Sequence, residues 1–125
     1  MFNDNIDYPP LPTPCTPIVY VASPFAGDID QNTENARQYC RFAVSKGYLP
    51  LAPHLHFPQF LDENDPKERK LGLQFALILL DKCDELWVFG NRISEGMSRE
   101  IDHATVIGIP IRYIDSNCEV KSYDP

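Results

Sequence analysis

The stretch SEGMSREIDHA, Ser94 to Ala104, places a carboxylate where a helix is expected to be apolar. At about 3.6 residues per turn, Met97, Ile101 and Ala104 share one face, and Ile107 extends it. Glu100 projects between Ile107 and Ala104, inside the same arc. Acidic residues are common near helix starts because the macrodipole favours them. An unpaired buried carboxylate is nevertheless costly, so its place in the apolar arc weighs towards chemistry. A carboxylate held there can act as a nucleophile. Helical side chains lean towards the N-terminus, so Glu100 can reach a site opening at the helix start.

Other residues have the types such a site needs. Ser94, Gly96 and Ser98 crowd the helix start, with Met97 between the last two. Gly96 lets a ligand approach the backbone, and the free N–H groups there form an anion site. Ser94 also reads as a plain N-cap. Tyr20 lies within an apolar run, and its hydroxyl needs a partner if buried, either Glu100 or the backbone. SPFAGD supplies Ser23, Pro24, Phe25, Gly27 and Asp28, which read as a cradle for a sugar or base with Phe25 stacking, or as an ordinary turn. His54 and His56 share one side of an extended chain, but two histidines do not close a metal site. His54 is therefore read as a polar pocket-lining residue. Gly90 and Arg92 lie just ahead of the helix, and Arg69 and Arg92 are candidate phosphate contacts. Trp87 reads as core.

These residues sit on a regular alternation of elements. Residues 1–17 carry five prolines and no periodicity, and form an arm ahead of the domain at 18–125. IVYVAS (18–23) is a strand buried on both faces. A helix is expected from about Gln31 to Lys46, stopped by Gly47. YLPLAP (48–53) is a strand that Pro50 confines to a sheet edge. A long loop follows. Asp65, Pro66 and Glu68 then stand at the N-cap, first and third positions of a helix reaching about Lys82. ELWVFG (85–90) is a third strand, residues 95–107 a third helix ended by Gly108, and IPIRYI (109–114) a fourth strand. Alternation of this kind predicts one α/β domain, a three-layer sandwich with four or five parallel strands in flavodoxin-like order. Ligands in such sheets bind outside the carboxyl ends of the strands. Those ends are the loops starting at Ser23, His54, Asn91 and Asp115.

Composition narrows the partners. The chain has 125 residues and a net charge of −7, which argues against a nucleic-acid backbone as partner. No apolar run approaches the roughly 20 residues of a membrane span, and the first residues do not read as a signal peptide. Cys15, Cys40, Cys83 and Cys118 are scattered, so free thiols in the cytoplasm are expected, with no metal and no cofactor.

VYVASPFAGD, SEGMSREIDHA and their order together resemble the nucleoside 2-deoxyribosyltransferase-like superfamily over residues 18–114. The superfamily includes 2′-deoxynucleoside 5′-phosphate N-hydrolases and small uncharacterised proteins. In its pattern a glycine precedes the catalytic glutamate by four and an alanine follows by four, which Gly96, Glu100 and Ala104 match. Tyr20 matches the strand tyrosine that orients the glutamate. The resemblance implies a glutamate nucleophile that cleaves or exchanges the N-glycosidic bond of a nucleoside or nucleoside monophosphate, and a homo-oligomer. In one respect the sequence departs. The resembling enzymes carry an aspartate on the helix before the third strand, and the matching positions, near Ala76 to Ile78, are apolar. Asp62, Asp65 or a partner subunit are the substitutes to consider. A non-catalytic nucleotide-binding module of the same fold is the rival reading.

Overall fold

The computed structural model of the chain describes residues 9–124. Met1 to Tyr8, the outer half of the expected arm, lie outside the described residues.

The elements run β1 (Ile18–Ala22), α1 (Ile29–Ser45), β2 (Leu49–Leu51), α2 (Pro66–Asp81), β3 (Glu85–Phe89), α3 (Glu95–Ile107), β4 (Ile111–Ile114) and β5 (Val120–Asp124). The sheet order is β2-β1-β3-β4-β5. The first three pairings are parallel, and β5 returns antiparallel on β4. Four strands are thus parallel, with an antiparallel fifth at the edge. A short turn at Asp115–Cys118 suffices for that return, because antiparallel neighbours need no crossover. The short β2 carries Pro50 at the opposite edge, where a missing N–H breaks no ladder.

The two faces of the sheet bury different residues. Tyr20, Ala22, Leu86 and Val88 pack with Leu80, Met97 and Ala104 beneath α2 and α3. Val19, Val21, Trp87 and Phe89 pack with Tyr39 and Ala43 of α1. The strict alternation along β1 and β3 follows from the pleat. It fixes Tyr20 on the α2/α3 side, opposite Trp87, which is core as expected.

Helix ends follow local chemistry. Asp65 caps α2 by accepting from the Lys67 N–H at 2.9 Å. Glu68 reaches past the cap to the Asp62 N–H at 3.0 Å, which ties down the preceding loop. Gly108 ends α3 in the left-handed conformation, at φ 80°. Ile107 departs from its expected place in the buried arc: it is 38% exposed, at the last residue of α3.

The loop after β2 is not extended. Residues Pro53–Leu55 and Phe57–Gln59 form two 3-10 turns. His54 and His56 therefore do not point the same way. His54 stacks on Phe25, whereas His56 packs on Phe57 and Phe60. Among the described residues no helix is long and apolar enough to cross a membrane.

Candidate active site

Glu100 is buried, with 7% of its surface exposed. Its carboxylate accepts a hydrogen bond from the Tyr20 hydroxyl. α3 supplies the glutamate one and a half turns from its start, and β1 supplies the tyrosine from the facing side of the sheet. Burial pushes the Glu100 carboxyl up to about 7, while the Tyr20 hydrogen bond pulls the other way. Burial first, and the glutamate's charge second, hold the Tyr20 hydroxyl well above its ordinary value, so it stays a proton donor.

Glu100 opens on a cavity of about 620 Å³. The cavity lies at the carboxyl edge of the sheet, beside the point where strand order reverses between β1 and β3. The loop after β1 contributes Phe25 and Ala26, and the turns after β2 contribute Pro53, His54 and Phe57. Phe25 and His54 form a stacked pair, with centroids 4.7 Å apart and planes 13° apart. Burial lowers the His54 ring to about 4, so it is neutral at physiological pH and offers one N–H and one lone pair. Arg92, Ser94 and Gly96 line the helix-start side.

The start of α3 is organised locally. The Ser94 hydroxyl accepts from the Met97 N–H at 3.3 Å, and the Ser94 carbonyl accepts from Ser98. The Met97 side chain is buried and accepts weakly from the Ser94 N–H, at 3.5 Å. Met97 thus supports the helix start from below and does not line the cavity. A Cβ built on Gly96 would meet nothing nearer than the Ser94 hydroxyl at 4.0 Å. The glycine leaves space that belongs to the cavity.

Not every candidate residue converges here. Ser23, Pro24 and Gly90 line a separate, smaller pocket that shares Arg92 with the main cavity. Gly27 and Asp28 line neither. Gly27 turns the chain at φ 101°, and Asp28 caps α1 by accepting from the Gln31 N–H at 3.2 Å.

α2 walls the cavity with Arg69, Lys70, Leu73, Gln74, Ala76 and Leu77. Of the acids considered as substitutes, Asp65 is spent on its cap and Asp62 on the Asn64 N–H, and neither lines the cavity. Glu63, between them, does. Sequence reasoning missed Glu63 and also Arg99, which lines the cavity and pairs with Glu95 at 2.7 Å. Arg99 left a trace: a cation near a helix N-terminus opposes the dipole and invites a reason. Glu63 left none.

A family model described as a domain of unknown function (DUF7768) matches residues 17–114. The chain belongs to this family. The matched span takes in β1 to β4 and every residue of the cavity. No curated protein matches the chain. Among solved structures, a 2-deoxyribosyltransferase from the psychrotolerant bacterium Bacillus psychrosaccharolyticus superposes with a TM-score of 0.65 at 15% identity, over 83% of this chain and 76% of that one. A conserved protein from Enterococcus faecalis V583 superposes with a TM-score of 0.55 at 20% identity, over 79% of this chain and 63% of that one. The chain therefore spans less than two thirds of the Enterococcus protein. Likenesses at these identities establish a shared fold, the α/β fold of the deoxyribosyltransferase.

Proposed function

We propose that the protein cleaves or exchanges the N-glycosidic bond of a deoxynucleoside or its monophosphate, with Glu100 as nucleophile. The observation that carries this reading is the buried Glu100 carboxylate, bonded to Tyr20 and open to a cavity at the carboxyl edge of the sheet. The nucleoside class comes from the sequence resemblance and the deoxyribosyltransferase fold.

In the first step a Glu100 oxygen bonds to the anomeric carbon as the bond to the base nitrogen breaks. The electron pair leaves with the base, which takes a proton from solvent or from an acid on the cavity rim, where Glu63 stands. Water or a second base then attacks the sugar ester, releasing Glu100 with net retention. Tyr20 orients the carboxylate. A 2-deoxy sugar suits the step, because no electron-withdrawing hydroxyl opposes the developing cation.

The second reading, a nucleotide-binding module without turnover, is favoured by one observation. Ala76 and Leu77 line the cavity where the resembling enzymes carry an acid. Incubation with a panel of deoxynucleosides and their monophosphates separates the two. Free base released by wild type and not by Glu100→Gln supports the enzyme. Binding by both proteins without release supports the module.

The proposal extends to assembly. Leu71, Phe75 and Ile78 form an exposed apolar stripe on α2 beside the cavity, with Phe60 close to it through Phe57. We assign this stripe to a homodimer contact, in a cytoplasmic protein that needs no cofactor.

A further inference from the structure

The wall of the main cavity that carries Phe25 is held from outside the cavity. Ala26, Gly27 and Asp28 are exposed, and a Cβ built on Gly27 would meet nothing within 4 Å. A loop with so little packing of its own opens easily unless something ties it down. The tie is a side chain of α1. The Asn32 amide donates to the Phe25 carbonyl at 2.9 Å and to the Ala26 carbonyl at 3.1 Å. An amide nitrogen carries two hydrogens, one for each carbonyl.

Asparagine is a weak choice inside a helix, because its side chain competes for backbone groups. Early in α1 that competition is turned outwards, onto the loop before the Asp28 cap. The Asn32 N–H stays in the helix and donates to the Asp28 carbonyl at 2.9 Å. Asn32 borders the smaller pocket and does not line the main cavity, so it acts there only through the residues it holds. Those residues matter for shape. Phe25 and His54 both line the main cavity, and their stacking joins the loop after β1 to the first 3-10 turn after β2. Buried Pro53 anchors the His54 side of this pair, and Asn32 anchors the Phe25 side. Stacked rings cover each other's inner faces and meet a ligand with their outer faces and edges.

We propose that Asn32 is a positioning residue: by gripping the Phe25 and Ala26 carbonyls it keeps the Phe25 ring on His54, as a preformed aromatic wall against which the planar base of the ligand lies. The base as ligand rests on the function proposed above, while the grip on the loop stands on its own hydrogen bonds.

Two measurements on Asn32→Ala and Asn32→Leu test this. Alanine and leucine are both good helix formers, so α1 should survive, and thermal melts check that it does. Leucine keeps the bulk and lacks the amide. The first measurement is proton NMR of the histidine rings, three in the chain. The His54 signals, picked out by their response to Phe25→Ala, should lose the ring-current shift that the Phe25 ring imposes. The His54 titration, which burial holds at about 4, should move up towards its ordinary value. The second is calorimetric titration with 2′-deoxyadenosine, in the Glu100→Gln background so that no turnover intrudes. Both Asn32 variants should bind about tenfold more weakly, as the loss of two hydrogen bonds implies. Combined with Phe25→Ala, the same changes should cost less than about twofold, because the ring through which Asn32 acts is already gone. Unmoved His54 signals, wild-type affinity in Asn32→Leu, an equal loss with and without the Phe25 ring, or no binding of 2′-deoxyadenosine up to millimolar concentration each overturn the proposal. If wild type releases no base while both measurements behave as expected, the glycosidase reading fails and the role of Asn32 stands.

Discussion

The Tyr20 hydroxyl donates to the Glu100 carboxylate across a sequence separation of 80 residues, with both side chains buried. The pair joins the second position of α/β order, a central strand, to a helix that starts at the ligand edge. A buried carboxylate with one good donor is held in a single place, yet keeps its second oxygen for another partner.

Glu100→Gln preserves size and polarity and removes the charge. Base release should fall by several orders of magnitude, because an amide cannot form the sugar ester. Binding of deoxynucleoside monophosphates should persist, since the helix start from Ser94 to Met97 is untouched. Product analysis by chromatography checks the first outcome and calorimetry the second. Equal base release by both proteins removes Glu100 from the mechanism.

Stability should respond to pH in a direction set by the same residue. The Glu100 carboxyl is raised in the folded protein to about 7 from an ordinary value of 4.5. The native state then holds a proton that the unfolded state has lost between those two values, so this residue's contribution to stability falls as pH rises through that window. Fully developed above pH 7, the penalty is on the order of 3 kcal/mol. Glu100→Gln escapes it. Denaturant melts should show the variant gaining on wild type from pH 5 to pH 8, and a constant difference would contradict the burial argument.

Tyr20→Phe removes the donor that pulls the Glu100 carboxyl down. A hydrogen bond to a charged group contributes roughly 1.5–3 kcal/mol, or roughly one to two pH units. The nucleophile must be ionised, so wild-type activity should rise with pH through about 7. In Tyr20→Phe that rising limb should move to higher pH. A variant that is merely slower, with an unmoved profile, would assign the tyrosine a packing role only.

Gly96→Ala tests whether the helix start borders the ligand. Outside its own helix backbone and chain neighbours, the new methyl meets only the Ser94 hydroxyl, at 4.0 Å, and alanine is the better helix former, so stability should hold or rise by up to ~1 kcal/mol. Nucleotide affinity should drop, because the methyl enters the cavity. Unchanged affinity would place the ligand elsewhere.

Phe75→Glu sets a charge in the exposed stripe of α2. If Leu71, Phe75 and Ile78 form the homodimer contact, sedimentation should show dimer for wild type and monomer for the variant at micromolar concentration. A monomeric wild type would leave the stripe without the role assigned to it.

Much of this protein is legible in its sequence, because the decisive signals are local. The period of apolar residues, Pro50 in an edge strand, the Asp65-Pro66-Glu68 helix start and the Ser94 and Gly108 caps all act within a few residues of themselves. Glu100 stands out for the same reason, as one carboxylate out of phase with its own helix. The return of β5 is less visible, since an antiparallel edge strand needs no helix to announce it. The 3-10 turns after β2 are hidden as well, and with them the stacking of His54 on Phe25. Only the tertiary structure could decide which polar residues share a cavity. Ser23 and Phe25 are two residues apart yet line different pockets, and Tyr39, which sequence periodicity assigns to the buried stripe of α1, turns its hydroxyl into the smaller one. The physical reason is that a backbone pattern fixes which face a residue takes, while the void it borders is set by how three elements distant in sequence pack around it.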